Sequence, residues 1–323
     1  MNGVSIRAVF GSRSIFNINR GMGNKELKKG LVVERAGQKV GVYLFEDGKV
    51  YRGIPMGKVR KRTKLYAGDY VKGRVVDANT FAIEEVEERK NLLVRPPVAN
   101  VDRVVIVQTI QHPPFQNFLL DNLLVVYDYL GLDTVIVFNK IDLLDEEGKK
   151  ELAYWEKVYK DAGYDVLKVS AHTGEGIQEL KDYLKGQICI LAGPSGVGKS
   201  SILSALTGLK LRTQEVSEKT ERGRHTTTGV HLIPFGEGSF VGDTPGFSKV
   251  EALQFMPKEE VRLHFPEFLR YRCKFSNCMH LNEVGCEVRE ALKRGEISCD
   301  RYKSYLKMIK EYVDWLKDYC KED

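Results

Sequence analysis

No apolar run in the chain approaches the ~18 uncharged residues that a membrane-crossing helix needs. The longest candidates are short strand-like stretches, Thr134 to Phe138 and Ile188 to Ala192. An integral helical membrane protein is therefore excluded, and no membrane partner is expected. Internal repeats and low-complexity tracts are also missing. With 42% apolar and 29% charged residues, the composition excludes wholesale disorder and a coiled-coil or collagen-like rod. No hydrophobic signal peptide precedes the six cysteines, four of which fall between Cys273 and Cys299. A reducing cytosol is thus the better reading, a disulfide framework the weaker one, and a cytoplasmic protein is expected. Acid is absent from the first 25 residues, which carry Arg7, Arg13, Arg20 and several serines. That is the composition of an organellar transit peptide, although chance or a start at Met22 accounts for it more simply.

What is present reads as two to three domains in 323 residues. Fifty Lys and Arg against 44 Asp and Glu leave a net charge of +6, which permits a polyanionic partner without requiring one. Residues 1–29 stand as an N-terminal extension. From 31 to 87 five short strands follow one another, LVVERA, KVGVYLF, KVYRGI, DYVKGRVV and TFAIEEV, with turns at Asp47-Gly48 and Asp77 to Asn79. They predict a small barrel over 30–90, an OB-fold or, from strands alone, an SH3-like barrel. Arg89 to Asn100, with Pro96-Pro97 inside it, reads as a linker. Strands and helices then alternate across 98–250, the pattern of a mostly parallel α/β sheet. The segment 251–323 turns helical and cysteine-containing, with Tyr302, Tyr305, Leu306, Ile309, Tyr312, Val313 and Leu316 at helical spacing. The expected fold class is an all-β OB barrel, an α/β P-loop domain and a small helical domain.

Gly193-Pro194-Ser195-Gly196-Val197-Gly198-Lys199-Ser200 follows a strand and opens a helix, the context that a phosphate loop requires. Its glycines let backbone N–H groups converge on phosphates. Lys199 reaches the β and γ oxygens, and Ser200, followed by Ser201, holds Mg2+. Asn139-Lys140-Ile141-Asp142 ends another strand, and the Asp142 carboxylate can accept two hydrogen bonds from guanine, which adenine cannot supply. GTP and GDP are therefore expected ligands. Ser170-Ala171 suits a backbone contact to the guanine oxygen. Asp243-Thr244-Pro245-Gly246 supplies an acid to the Mg2+ shell and a free Gly246 N–H for the γ-phosphate. Between these motifs lies Arg224-His225-Thr226-Thr227-Thr228, from which Thr227 is chosen as metal ligand, with its neighbours as alternatives.

The order of these motifs is unusual, because the guanine readers precede the phosphate loop. One sheet can close around them only if the chain is circularly permuted, with its ends after the loop at Asp243 and before the next strand. The residue after Gly246 is Phe247, where a Ras-like enzyme keeps a water-orienting glutamine. His225 can serve instead as acceptor or polar orienter, or it is a loop histidine without a role.

Cys273-x4-Cys278-x-His280-x5-Cys286 gathers three thiolates and an imidazole, the donor set of one tetrahedral structural zinc, with Cys299 as substitute ligand. Cys189 sits in a core strand as a small hydrophobe. On the barrel, Lys58, Arg60, Lys61, Arg62 and Lys64 crowd one loop near Tyr51, Arg52 and Tyr66. Cations among aromatics suit RNA phosphate contact with base stacking, and a solvated charged loop reads equally well.

From about Leu31 to Tyr312 this combination of motifs resembles the RsgA (YjeQ) GTPases, bacterial factors of small ribosomal subunit assembly. The resemblance implies an N-terminal OB-fold, a permuted GTPase and a zinc domain, and a monomer is expected. It implies docking on the 30S subunit and its 16S rRNA, GTP hydrolysis stimulated there, and His225 as the hydrolysis residue in place of glutamine. A large-subunit assembly GTPase of the YlqF type shares the motif order without the barrel or the cysteine cluster. A nucleotide-gated binding module with negligible hydrolysis is the other alternative. The first 25 or so residues depart from the family pattern.

Overall fold

The computed structural model describes residues 26–37, 39–94, 97–209, 230–243 and 251–320. Strands β1 (Lys28–Ala36), β2 (Lys39–Leu44), β3 (Val50–Pro55), β4 (Tyr70–Asp77) and β5 (Thr80–Val86) close into a barrel in the order β1-β2-β3-β5-β4. Alternate residues point inward, so Val32, Val42, Val71, Phe81 and Ile83 fill the lumen. The barrel is closed and five-stranded, and of the two expected barrels it is the OB type.

Two expectations change here. The basic loop is in part a helix, α1 (Gly57–Arg62), because Val59 is buried and joins the barrel core. Burial of one apolar residue holds a turn that its charged neighbours would leave in solvent. The expected linker is a small antiparallel pair, β6 (Leu92–Val94) with β7 (Pro97–Ala99). It is fastened to the barrel by Ala99 N–H donating to the Ala67 carbonyl at 2.8 Å and Asn100 Nδ2 donating to the Gly68 carbonyl at 2.8 Å. A Cβ on Gly68, at φ +90°, would lie 1.9 Å from the Ala99 oxygen, so this approach requires glycine.

The second sheet contains β8 (Arg103–Gln108), β9 (Asp133–Phe138), β10 (Val166–Lys168), β11 (Ile188–Ala192), β12 (Leu232–Gly236) and β13 (Ser239–Asp243), in the order β10-β9-β8-β11-β13-β12. All neighbours are parallel except β12 with β13. Each parallel strand is apolar on both faces. Val104, Ile106 and Ile136 pack under α2 (Asn117–Tyr129) and α3 (Glu146–Ala162). Val105, Val107, Val135 and Val137 pack under α4 (Ile177–Tyr183) and α5 (Lys199–Thr207). The strand that opens this sheet in the chain, β8, lies inside it, between β9 and β11. Counted from the phosphate-loop strand β11, the sheet reads 2-3-1-4-5-6, an unbroken P-loop sheet whose chain ends have moved to Arg103 and Asp243. That is the expected permutation.

Helix α2 is buried on nearly every side, from Leu120 through Tyr127. One face meets the sheet, and Val125 and Val126 meet the C-terminal segment at Met256, Phe265 and Leu306. That segment contains α6 (Lys258–Val261), α7 (Glu287–Lys293) and α8 (Cys299–Ile309). The helical run expected to reach Leu316 stops at Ile309, where Lys310 turns left-handed at φ 58° and Tyr312 points into solvent. Cys299 is joined to Cys320 by a disulfide. The reading of Cys299 as a substitute metal ligand is thereby corrected, and one disulfide is present where the sequence favours a reducing cytosol: the fold of the tail brings Cys320 to Cys299.

Candidate nucleotide site and metal centre

The phosphate loop, the guanine-reading loops and Asp243 all stand at the carboxyl ends of parallel strands, where open α/β sheets place their ligands. β11 delivers Gly193, β9 delivers Asn139, the turn after β10 delivers Ser170 and Ala171, and Asp243 closes β13 in register with Leu191. Gly193, Gly196 and Gly198 have φ of 127°, 86° and 91°. A Cβ on Gly193 would lie 2.2 Å from the Val107 oxygen, and one on Gly198 would lie 2.4 Å from Asn139 Nδ2. Only glycine lets the loop wrap this closely, which turns its N–H groups toward a common centre. Lys199 Nζ lies across the loop, donating to the carbonyls of Gly193 at 2.9 Å and Pro194 at 2.8 Å. Ser195 is exposed, Val197 is buried as a hydrophobic anchor, and Ser200 and Ser201 fall in the first turn of α5.

Asn139 fastens three loops together. Its Nδ2 donates to the Val197 carbonyl at 2.9 Å, and its Oδ1 accepts from Ala171 N–H at 3.1 Å. Lys140, left-handed at φ 64°, donates through Nζ to the carbonyls of Gly196 at 2.7 Å and His112 at 2.8 Å. Asp142 is exposed through its backbone while its side chain folds inward, with Oδ2 3.7 Å from Nδ1 of the exposed His172. Ser170 is fully buried and accepts from Thr173 N–H at 3.0 Å, which shapes the turn that presents Ala171. The site therefore arrives with its guanine and phosphate halves already cross-linked.

The segment after β8 was not singled out in the sequence. Its His112 carbonyl holds Lys140, and Gln111 Nε2 donates to Asp145 at 2.8 Å. The Pro113-Pro114 pair, in the loop that follows β8, is its signal in the sequence. His225, Thr227 and Gly246 lie outside the described residues, and so does the side chain of Asp243.

Cys273, Cys278, His280 and Cys286 bring one ligand atom each within 4.8 Å of one another. Tetrahedral ligation with metal–sulfur bonds of ~2.3 Å and metal–nitrogen bonds of ~2.05 Å requires sulfur–sulfur edges of ~3.8 Å and sulfur–nitrogen edges of ~3.6 Å. Cys273 Sγ stands 3.9 Å from Cys286 Sγ, and both stand 3.5 Å from His280 Nδ1. The residues fit a metal ion. Burial holds the His280 imidazole neutral, with its pKa lowered to about 4, and pushes the Cys278 and Cys286 thiols up. A bound dication reverses the thiol shift. The left-handed His280, at φ 61°, is set by its neighbours. Glu283 accepts Met279 and Leu281 N–H at 2.7 Å each, and Tyr305 donates to the Met279 carbonyl at 2.6 Å. Burial pushes the Glu283 carboxyl up, but these backbone donors outweigh it and keep it below its ordinary range.

Of the barrel cations, Arg60 and Lys61 stand exposed on α1, and Lys64 Nζ sits 5.3 Å over the Tyr66 ring. Lys58 and Arg62 belong to the same helix. Arg89, missed in the sequence, stacks on the other part of this patch, 4.8 Å from the Tyr66 centroid, while bonding the fully buried Asp69 at 2.6 Å.

The profile of the RsgA GTPase family matches residues 86–253, from the end of the barrel through both nucleotide loops. The chain belongs to the RsgA GTPase family. It is thus a GTPase, with a P-loop domain flanked by a barrel and a segment whose Cys/His cluster could hold a metal ion. The small ribosomal subunit biogenesis GTPase RsgA of Thermotoga petrophila is 45% identical over 288 residues, covering 88% of this chain and 97% of that one. Among solved structures, YjeQ from Thermotoga maritima superposes with a TM-score of 0.75 at 40% identity, over 88% of this chain and 98% of that chain. YloQ, described as a circularly permuted GTPase, superposes with a TM-score of 0.74 at 28% identity, over 94% of this chain and all of that one.

Proposed function

We propose that this RsgA-family GTPase acts in late assembly of the 30S ribosomal subunit, binding 16S rRNA and hydrolysing GTP faster when the subunit is bound. The observation that carries this reading is the 45% identity, across 88% of the chain, to a protein named for small ribosomal subunit biogenesis. The exposed cations of α1 beside Tyr66 support an RNA contact by the barrel, residues 30–90. In the GTPase unit, residues 98–250, Ser200, Thr227 and Asp243 would hold the Mg2+ of Mg2+–GTP, which neutralises charge on the phosphates. Asn139, Lys140, Asp142, Ser170 and Ala171 select and seat guanine. The chain of Gly193, Ser195, Gly196, Val197, Gly198, Lys199, Ser200 and Ser201 cradles the phosphates, with Gly246 meeting the γ-phosphate. His225 orients the attacking water, since Phe247 has no group to do so. We assign the tetrahedral cluster of residues 251–323 to one structural zinc, and expect a cytoplasmic monomer.

Single-turnover GTP hydrolysis tests this. Isolated 30S subunits should accelerate turnover at least ~10-fold and 50S subunits should not, while His225→Ala keeps subunit binding and loses ~10² or more of the stimulated rate. Equal rates with and without 30S subunits would remove the proposal. For the metal, elemental analysis should give one zinc per chain. Cys278→Ser should lose it and unfold the C-terminal segment while GTP affinity stays within a few-fold, because ligation supplies much of the folding free energy of so small a unit. A zinc-free native chain with an intact C-terminal segment would refute the assignment.

A further inference from the structure

The Cys299–Cys320 bond lies outside the metal cluster and outside the nucleotide site, and nothing in either assignment uses it. Its two sulfurs are 21 residues apart in the chain and close the tail back onto the first residue of α8. The tail they close is the segment that covers the metal loop. Trp315 Nε1 donates to the Leu281 carbonyl at 2.9 Å and to Asn282 Oδ1 at 3.1 Å, the two residues directly after the ligand His280. The indole packs on Tyr302, whose ring is 5.6 Å away and whose hydroxyl donates to the His280 carbonyl, and the Arg289 guanidinium lies 5.6 Å over the Trp315 ring. Between Trp315 and Cys320 only one backbone turn intervenes, closed by Cys320 N–H donating to the Leu316 carbonyl at 2.8 Å.

Access to the two sulfurs is unequal. Cys320 is 3% exposed, whereas Cys299 lines an open groove of about 400 Å³ between α3 and the C-terminal segment, together with Tyr154, Lys157, Lys293 and Tyr319. An attacking thiolate therefore reaches Cys299 first. Lys293 sits 5.3 Å over the Tyr319 ring on the same groove, with its ammonium paired to Glu290 at 2.9 Å.

We propose that Cys299 and Cys320 are a reversible redox pair that clamps the tail over the metal loop and sets how fast the metal leaves it. This rests on the metal-centre reading above. In the opening direction, a low-molecular-weight thiolate attacks Cys299 Sγ, the S–S bond breaks, and its electron pair leaves on Cys320 Sγ as a thiolate that takes up a proton. A second thiolate then displaces Cys299 from the mixed disulfide, so two thiols are oxidised to one small disulfide as the protein gains two hydrogens. Closing is the reverse, with the small disulfide as oxidant. With the bond closed, the segment that carries Trp315 is tethered at both ends, to α8 at Ile309 and to Cys299 through Cys320. With it open, the tail keeps the burial of Val313, the packing of Leu316 and the Trp315 contacts, but loses its covalent anchor at Cys320.

The test uses the full-length, zinc-loaded chain equilibrated with reduced or oxidised glutathione. Intact mass and peptide mapping should show a Cys299–Cys320 bond in the oxidised sample and no disulfide among Cys273, Cys278 and Cys286. Transfer of zinc to a chromogenic chelator should be at least ~5-fold slower from the oxidised than from the reduced chain, in keeping with the entropy that one cross-link removes from the open tail. Cys320→Ser should release zinc at the fast rate in both buffers, and Trp315 fluorescence should report the same two states. Equal release rates from oxidised and reduced protein, a Cys320→Ser chain that still responds to glutathione, or no Cys299–Cys320 bond under oxidation would each overturn the clamp. A chain that carries no zinc at all overturns the metal-centre reading, and the release-rate claim with it. A zinc-loaded chain with redox-blind release overturns the clamp alone.

Discussion

Lys199→Ala is expected to weaken GTP binding by about two to three orders of magnitude while leaving the fold intact. A charge-assisted contact to phosphate in a sheltered loop is worth about 3–4 kcal/mol once its partner is left without a cation, which converts to that range. The Lys199 ammonium is poised at the loop mouth on two carbonyls, those of Gly193 and Pro194, and it needs only to exchange them for β and γ oxygens. Lys140, the nearby cation, cannot take its place, since its Nζ is committed to the carbonyls of Gly196 and His112 and its role is to tie loops together. The α5 core at Ile202, Leu203 and Leu206 does not depend on Lys199, so melting should shift by less than about 1 kcal/mol equivalent. Fluorescent guanine nucleotide titration with a thermal melt on the same sample checks both halves. Affinity within fivefold of the parent would mean that this loop does not carry the phosphates.

The second large effect lies away from the nucleotide. Arg301, only 1% exposed, bonds Asp121 of α2 through Nη1 at 2.5 Å and Glu267 through Nε at 2.7 Å, and Tyr159 of α3 donates to the same Asp121 oxygen at 3.0 Å. The guanidinium also lies 4.6 Å over the Phe265 ring. This cluster joins the sheet's helices to the C-terminal helix, and every member is buried. Arg301→Met keeps most of the volume but strands two carboxyls, so the loss should be about 3–5 kcal/mol by chemical denaturation near neutral pH. Its pH dependence is specific. Burial already raises the Asp121 pKa, and Arg301 is what pulls it back. Without Arg301 the folded-state pKa rises further above the unfolded value, so the folded variant binds more protons than its unfolded chain and loses stability as pH rises through the carboxylate range. The deficit against the parent should therefore be smaller at about pH 5 than at about pH 7. Adding Asp121→Leu and Glu267→Leu should recover much of it, because an apolar replacement of a whole buried cluster is tolerated where a half is not. A pH-independent deficit, or one below about 1 kcal/mol, would show that the cluster is not the joint.

Both predictions rest on side chains, yet only the first was legible along the chain. A phosphate loop is built from consecutive backbone N–H groups, so its glycines must stand at fixed short intervals. Gly193, Gly196 and Gly198 are recorded locally because their left-handed φ angles are local. The same holds for Asn139 to Asp142 and for the Cys273 to Cys286 ligands, where one short loop supplies all the donors. Arg301 is 180 residues from Asp121 and 34 from Glu267, and a lone arginine in an amphipathic helix carries no mark of partners so distant.

Hydrophobic alternation and motif spacing were enough to specify the barrel strands, the parallel sheet, its permuted order, guanine selection and the Cys/His donor set, because each follows from contacts within a few residues or from a period of two or 3.6. What packing alone decided is of longer range. Val59 enters the barrel core and turns a charged loop into α1. Gly68 and Asn100 capture an apparent linker as a paired joint. The tail folds back so that Cys320 meets Cys299 instead of leaving both as thiols. In each case the deciding contact closes a loop whose entropy cost is repaid by burial elsewhere in the molecule, and no window along the chain contains both terms.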